Sequence, residues 1–274
     1  MLKGFLEKAR DSLELRIRVA GYPPKFIPHY LLHKKRETSP IFICGTQRSG
    51  TNMLADCFDN CRSIEVQHDI SRRAYSNYRL KGDSEVDKLI RQSPATHLVF
   101  KPLLDIARIP DLLNRLPTSF VVWIYRNYID VVLSMKRSFR NSREELDEIM
   151  AGKCTSWRRE LFIDPVMALI SSLYRNDLNQ EEALALSWLA RNEFLFASHM
   201  DVHSRVALIN YDSFIASPVE QFKLLADTAR FEYDGDATRH VRGPRNRTAS
   251  IHISSEIEGA CEEMMDKLKN IQKN

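Results

Sequence analysis

Ile41-Phe42-Ile43-Cys44-Gly45-Thr46-Gln47-Arg48-Ser49-Gly50-Thr51-Asn52-Met53-Leu54 decides the fold. Its apolar start reads as a buried strand, its Gly/Ser-bearing middle as a loop, and its end as the first turn of a helix. Successive backbone N–H groups in such a loop point into one concavity, at the positive end of the helix dipole, and make an anion site. The spacing Gly45-x4-Gly50 is that of a P-loop. Position 51, where a nucleoside triphosphatase needs Lys, is Thr51, and the basic residue, Arg48, sits inside the loop instead.

Outward from the loop, strand-like and helix-like segments alternate. The helix after the loop carries Met53, Leu54, Cys57, Phe58 and Cys61 at helical spacing. A short strand over 63–66 delivers Gln67-His68-Asp69, and the polar stretch 70–95 reads as a mobile insertion or lid. A third strand, 97–100, ends at Lys101-Pro102 and leads into a helix near 104–115. Ser119 to Tyr125 is the clearest buried strand and ends at Arg126; Asn127 can cap the next helix, whose apolar positions are Ile129, Val132, Met135 and Phe139. Residues 141–178 read as partly helical, 180–200 as a strong helix, 205–211 as a strand and 218–231 as a helix. A basic loop over 234–253 holds Arg239, Arg242, Arg245 and Arg247, and a charged helix closes the chain to 274. The alternation predicts one α/β domain over 1–274, a mostly parallel central sheet with helices on both faces and a P-loop-like turn. Residues 1–38 form an amphipathic N-terminal helix, Leu2 to Val19, and a Pro-bearing connector; docking of that helix is favoured over membrane-surface or partner contact.

Composition narrows the function. The chain has 274 residues, 43% of them hydrophobic, enough to bury a sizeable core. A net charge of +4, from 40 basic and 36 acidic residues, argues against a nucleic-acid partner and fits a local basic pocket for an acidic small molecule. The five cysteines, at 44, 57, 61, 154 and 261, have no metal-ligand spacing and read as reduced thiols. No apolar run approaches a membrane span, and no signal-peptide pattern opens the chain, so a cytoplasmic protein is expected. Oligomeric state is not legible.

In parallel sheets ligands sit at the carboxyl ends of the strands. Here those ends carry the 45–51 loop, Gln67-His68-Asp69, Lys101, Arg126 and Tyr211-Asp212. A kinase or ATPase needs an Asp at such an end to hold magnesium. The strongest strand ends in Arg126 instead, and Ser134 follows eight residues later, about two helical turns on. Arg with a hydroxyl donor is a phosphate clamp. The ligand should therefore carry two separated phosphate-like groups, and no metal is expected.

These residues resemble the sulfotransferases that use 3′-phosphoadenosine 5′-phosphosulfate (PAPS). Thr46 to Thr51 looks like that family's 5′-phosphosulfate loop, Tyr125 to Ser134 like its 3′-phosphate motif, and Asn210 to Phe214 with Ser217-Pro218 like the strand end before its late helix. The three segments frame residues 40–231 in the family's order. The resemblance implies that Arg48, Ser49, Gly50, Thr51 and Asn52 grip the 5′-phosphosulfate, that Arg126 and Ser134 grip the 3′-phosphate, and that Tyr211 touches the adenine edge. Arg242-Gly243 matches part of a late Arg-Lys-Gly motif, without its Lys.

The implied reaction moves a sulfuryl group to a hydroxyl or amine of a small-molecule, lipid or carbohydrate acceptor. Arg48 and Lys101 would offset charge on the bridging oxygen and the transferring group. The cytosolic branch of the family has Lys-Thr-His at the third strand end; this chain has Lys101-Pro102-Leu103, so the general base must lie elsewhere. Histidine titrates near neutral pH, which makes His68 the first candidate, with Asp69 or Glu65 as the alternatives and segment 70–97 as the remaining source. Acceptor contacts are expected from 70–95 and 141–178, while Trp157 and Trp188 read as core. The competing readings are a P-loop small-molecule kinase or triphosphatase, and a non-catalytic nucleotide-binding protein.

Overall fold

The computed structural model describes residues 37–155, 157–243 and 250–271. The N-terminal helix and most of its connector, with Arg245 and Arg247 of the basic loop, lie outside the described residues. The chain runs β1 (Ser39–Gly45), α1 (Thr51–Asp59), β2 (Ile64–Gln67), β3 (Tyr75–Ser76), β4 (Arg79–Leu80), α2 (Asp83–Gln92), β5 (His97–Phe100) and α3 (Ile109–Arg115). It continues through β6 (Phe120–Tyr125), α4 (Tyr128–Lys136), α5 (Ser142–Met150), α6 (Asp164–Leu173), α7 (Gln180–Ala197), β7 (Val206–Asn210), α8 (Tyr211–Ala216), α9 (Pro218–Ala229) and α10 (Ser255–Ile271). Among the described residues no helix is long and apolar enough to cross a membrane.

Five strands form one parallel sheet in the order β2-β5-β1-β6-β7. Both faces are buried, so the strands read as continuous apolar runs. Alternate residues serve opposite cores. Ile41, Ile43, Val122 and Ile124 face α1, α8 and α9, where Phe58, Phe214 and Phe222 pack. Phe42, Val121, Trp123 and Tyr125 face the larger core built on α4, α5, α6, α7 and α10. The loop after β1 lies where the chain leaves β1 toward one edge and leaves β6 toward the other, the switch point at which open α/β sheets bind ligands.

Helix α7 is apolar nearly all round, with Leu184, Trp188 and Leu195 fully enclosed. A helix of that composition must be covered on every side. Its start is fixed by a capping box between Asn179 and Glu182. Asn127 caps α4, its side chain accepting from the Ile129 N–H at 2.9 Å.

Residues 70–95, expected as a polar insertion or lid, carry regular structure and core contacts. They hold the β3–β4 hairpin and the ten-residue helix α2, and they bury Ala74, Tyr75, Leu80, Val86 and Leu89. The polar surface is tied down by charge: Arg79 pairs with the buried Asp105 at 2.6 Å, and Arg108 and Arg115 pair with Asp83 and Asp87. Asp105 also accepts from the buried Leu80 N–H at 2.6 Å. Asp105→Ala leaves that N–H without a partner and should cost about 2–4 kcal/mol in urea unfolding. A loss under about 0.5 kcal/mol, the range of an ordinary surface substitution, would show that the insertion is not anchored there.

His97 sits on β5, 8% exposed, with its ring edge-on to Phe231. Burial lowers its pKa from 6.5 to about 4. Between those values the unfolded chain binds the proton and the folded chain does not, so stability falls as pH drops from about 6.5 toward 4, by about 3 kcal/mol at most. His97→Phe should flatten that segment of the stability–pH curve, measured by chemical denaturation across pH 4–7.

Candidate active site

The loop between β1 and α1 holds three left-handed residues, Gly45 (φ 128°), Arg48 (φ 71°) and Gly50 (φ 101°). A Cβ on Gly45 would stand 2.1 Å from the Ile124 carbonyl oxygen, and one on Gly50 would stand 2.3 Å from the Tyr211 ring. Both glycines are therefore demanded by close approach as well as by φ. Helix α1 begins at Thr51 with Gly50 as N-cap, no side chain capping its first N–H groups and no acid in its first turn. That positive end is left open to an anion.

From the loop, the exposed Arg48 reaches across to α4, its Nε donating to Ser134 Oγ at 3.0 Å. Arg126 leaves the end of β6, donates to Asp130 at 2.7 Å and lies over the Tyr211 ring at 4.2 Å. Two buried polar atoms here have no partner among the described residues: Ser49 Oγ and Arg126 Nε. Buried polar atoms in native proteins are nearly always bonded, so each of these donors is free to take an oxygen of a water or a ligand. Arg126 and Tyr211 line a groove of about 420 Å³ with Asp130, Asp212, His240, Arg242 and Gly243. Partial burial raises the Asp212 pKa; Arg126 opposes the rise and Asp130 adds to it. The Arg242-Gly243 pair thus stands beside Arg126 despite its incomplete motif. The loop carrying it is held to α1 by His240, which contacts Asn60 Nδ2 at 3.1 Å and the Met53 carbonyl at 3.2 Å.

The third strand end supplies Lys101, 3% exposed. Its ammonium donates to Asn52 Oδ1 on α1 and pairs with Asp69 at 3.0 Å. Its backbone N–H donates to Tyr75 Oη at 2.7 Å, so the β3–β4 hairpin fixes the Lys101 backbone. Asp69, together with Gln47, opens onto a second cavity of about 430 Å³. Tyr78 from the hairpin lines it, with Leu146 and Ile149 of α5, Trp157, Phe162, and Leu184 and Arg191 of α7. Both segments expected to touch an acceptor therefore contribute. Trp157, expected in the core, packs against the larger core and also lines this cavity; Trp188 is fully buried.

The three candidate bases occupy different places. Glu65 is 3% exposed and fully engaged: Gln67 Nε2 donates to it at 2.6 Å, Arg73 at 2.8 Å and Ser93 Oγ at 2.7 Å. That network ties β2 to the start of β5 and leaves Glu65 out of both cavities, because it points into the sheet edge and not beyond the strand end. His68 is half-buried and lines neither cavity. Asp69 alone of the three faces the apolar cavity.

One residue of the site gave no signal in the sequence. Asn192 of α7 is fully buried; it accepts from Trp123 Nε1 at 3.3 Å and donates to Thr46 Oγ1 at 3.4 Å. It pins the phosphate loop from the opposite face of the sheet. An Asn inside an apolar helix was the only clue.

No protein-family model and no curated protein sequence matches the chain. Among solved structures it is similar to the sulfotransferase STF9 from Mycobacterium avium, with a TM-score of 0.50, 12% identity, and 88% of this chain and 79% of that one covered. A sulfotransferase from Alicyclobacillus acidocaldarius aligns with a TM-score of 0.48 and 13% identity over 88% of this chain and 95% of that one. The mouse sulfotransferase SULT7A1 complexed with PAP aligns at 0.47 and 14%, over 91% and 93%. At such identities the likeness is one of fold, and the chain has the sulfotransferase fold.

Removing the unpartnered Ser49 hydroxyl relieves a desolvation cost in the free protein. Ser49→Ala should melt no lower than wild type and gain up to about 1 kcal/mol. A clear drop in melting temperature would mean that the hydroxyl has a partner in the folded chain.

Proposed function

We propose that this protein transfers a sulfuryl group from PAPS to a hydroxyl or amine of a small-molecule, lipid or carbohydrate acceptor. The observation that carries the reading is the pair of buried, unpartnered donors, Ser49 Oγ in the loop and Arg126 Nε at the end of β6. One such donor in the loop and another at the end of β6 suit a bisphosphate nucleotide. The open N-terminus of α1, with Arg48, Ser49, Gly50, Thr51 and Asn52, fits the 5′ side. Arg126 and Arg242, which line the groove, fit the 3′ side; Ser134, which the resemblance assigns there, is joined to Arg48, and Tyr211 carries Arg126 on its face, its ring against Gly50.

PAPS supplies the activated sulfuryl group. The chain's own residues supply charge and a proton acceptor. Arg48 and Lys101 stand on either side of the start of α1 and offset charge developing on the bridging oxygen. Asp69 takes the acceptor proton, since it is the candidate carboxylate that faces the apolar cavity and touches Lys101. This reading moves the base from His68 to Asp69.

The test is calorimetry with PAP and with ATP-Mg, followed by labelled-PAPS transfer into a panel of hydroxyl and amine acceptors. PAP should bind, and Arg126→Ala should weaken it by about 1.5–3 kcal/mol, the scale of a charge-assisted bond. Asp69→Asn should keep PAP affinity and lower turnover about 10²-fold or more, while His68→Ala should lower it far less. Tight ATP-Mg binding without PAP binding would overturn the reading in favour of a kinase or triphosphatase. PAP binding without transfer to any acceptor would favour a non-catalytic nucleotide-binding protein.

A further inference from the structure

The apolar cavity beside Asp69 contains a cation that the transfer reaction does not use. Arg191, on α7, is 5% exposed and lines that cavity. Its NH1 donates to the Leu103 carbonyl at 2.8 Å, and its guanidinium lies 5.6 Å from the centre of the Trp157 ring. Among the described residues no carboxylate pairs with it. The two acids on the cavity wall are already committed: Asp69 to Lys101, and Glu145 to Arg158 at 2.8 Å. Arg158 lies over the same Trp157 ring at 4.7 Å, so two guanidinium groups share one aromatic platform.

Burial lowers the Arg191 pKa to about 10, with Arg158 adding to the effect, and the group stays cationic at neutral pH. A buried charge without a counter-ion is costly, and proteins keep one where a partner completes it. One carbonyl and one π face satisfy only part of a five-donor guanidinium. Much of the remaining wall is apolar, including Leu104, Met135, Ile149, Phe162 and Leu184, with Gln47, Ser142 and Ser187 as its uncharged polar groups. A volume of about 430 Å³ lies in the range of small-molecule sites.

We propose that the acceptor is an anionic amphiphile, with an aliphatic or aromatic body filling this cavity and a carboxylate or other oxyanion paired with Arg191. Arg191 is then a specificity residue: it completes its own charge only when an acceptor bearing a negative group is seated, while Asp69 receives the hydroxyl proton. The inference rests on the sulfuryl-transfer reading for the reaction, but not for the binding preference.

The experiment therefore measures binding before transfer. Calorimetry compares 3-hydroxydodecanoate and ω-hydroxydodecanoate, each against its methyl ester, on wild type, R191Q and R191K, with PAP binding and labelled-PAPS transfer run in parallel. At least one acid should bind about tenfold or more tighter than its ester, as a charge-assisted pair requires. R191Q should abolish that preference mainly through the acid, R191K should retain part of it, and KM should carry the change more than kcat. No preference in either pair overturns the proposal, as does an equal loss for acid and ester in R191Q, the mark of a merely structural role. If R191Q does not fold, wild type and R191K decide between the same outcomes. Selective acid binding without PAP binding or transfer would sink the sulfotransferase reading and leave the anionic pocket standing.

Discussion

The contact between β1 and β6 at Gly45 is the constraint on which the site depends. The Ile124 carbonyl oxygen lies where any Cβ on Gly45 would have to be. That approach brings the start of the phosphate loop level with the end of β6, with Gly45 paired to Ile124, so Arg126 emerges one peptide beyond Tyr125, beside the loop. Gly50 repeats the device on the other side, admitting the Tyr211 ring, and Tyr211 in turn supports Arg126. Between the two glycines Arg48 takes a left-handed conformation that L residues avoid by about 1–2 kcal/mol. Its side chain gains Ser134 on α4 by doing so. Three positive φ angles in six residues thus accompany the contacts that join the loop to β6, α4 and α8 at the candidate site.

Much of this was legible. The strands at 41–44, 97–100 and 119–125 announce themselves because a sheet buried on both faces needs unbroken apolar runs. Arg126, Ser134 and the loop follow from spacing alone, since helical geometry fixes what eight residues span. The regular structure within 70–95 is not legible because its order comes from distant charges. Asp105, Arg108 and Arg115 hold it, and no local periodicity reports them. Trp157 packs against the core as its sequence suggests, but a lone aromatic carries no mark of the cavity that also lies beside it. Among the three candidate bases, sequence could only weigh intrinsic acidity. Their surroundings differ, and neighbouring residues on one strand end diverge: Glu65 into a hydrogen-bonded network, Asp69 onto a cavity wall, and His68, half-buried, onto neither cavity.

The strand ends also show how the proposed reaction could couple its two charge movements. Lys101 is enclosed between Asn52, in the first turn of the donor-side helix, and Asp69, on the acceptor-side wall. While Asp69 is ionised, the ammonium is shared with it, an attraction of several kcal/mol in a partly buried setting. When Asp69 takes the acceptor proton, that attraction lapses. The ammonium is then released toward the α1 end of its span at the moment when negative charge gathers on the bridging oxygen. In the proposed reaction one cation would thereby serve the resting site and the transition state in turn, which is differential stabilisation of the kind catalysis requires. His68 could not supply this coupling from its position, because it lines neither cavity. Arg191 differs: among the described residues its guanidinium meets a carbonyl, an aromatic face and a like charge but no carboxylate, which is why the proposed acceptor carries an anion.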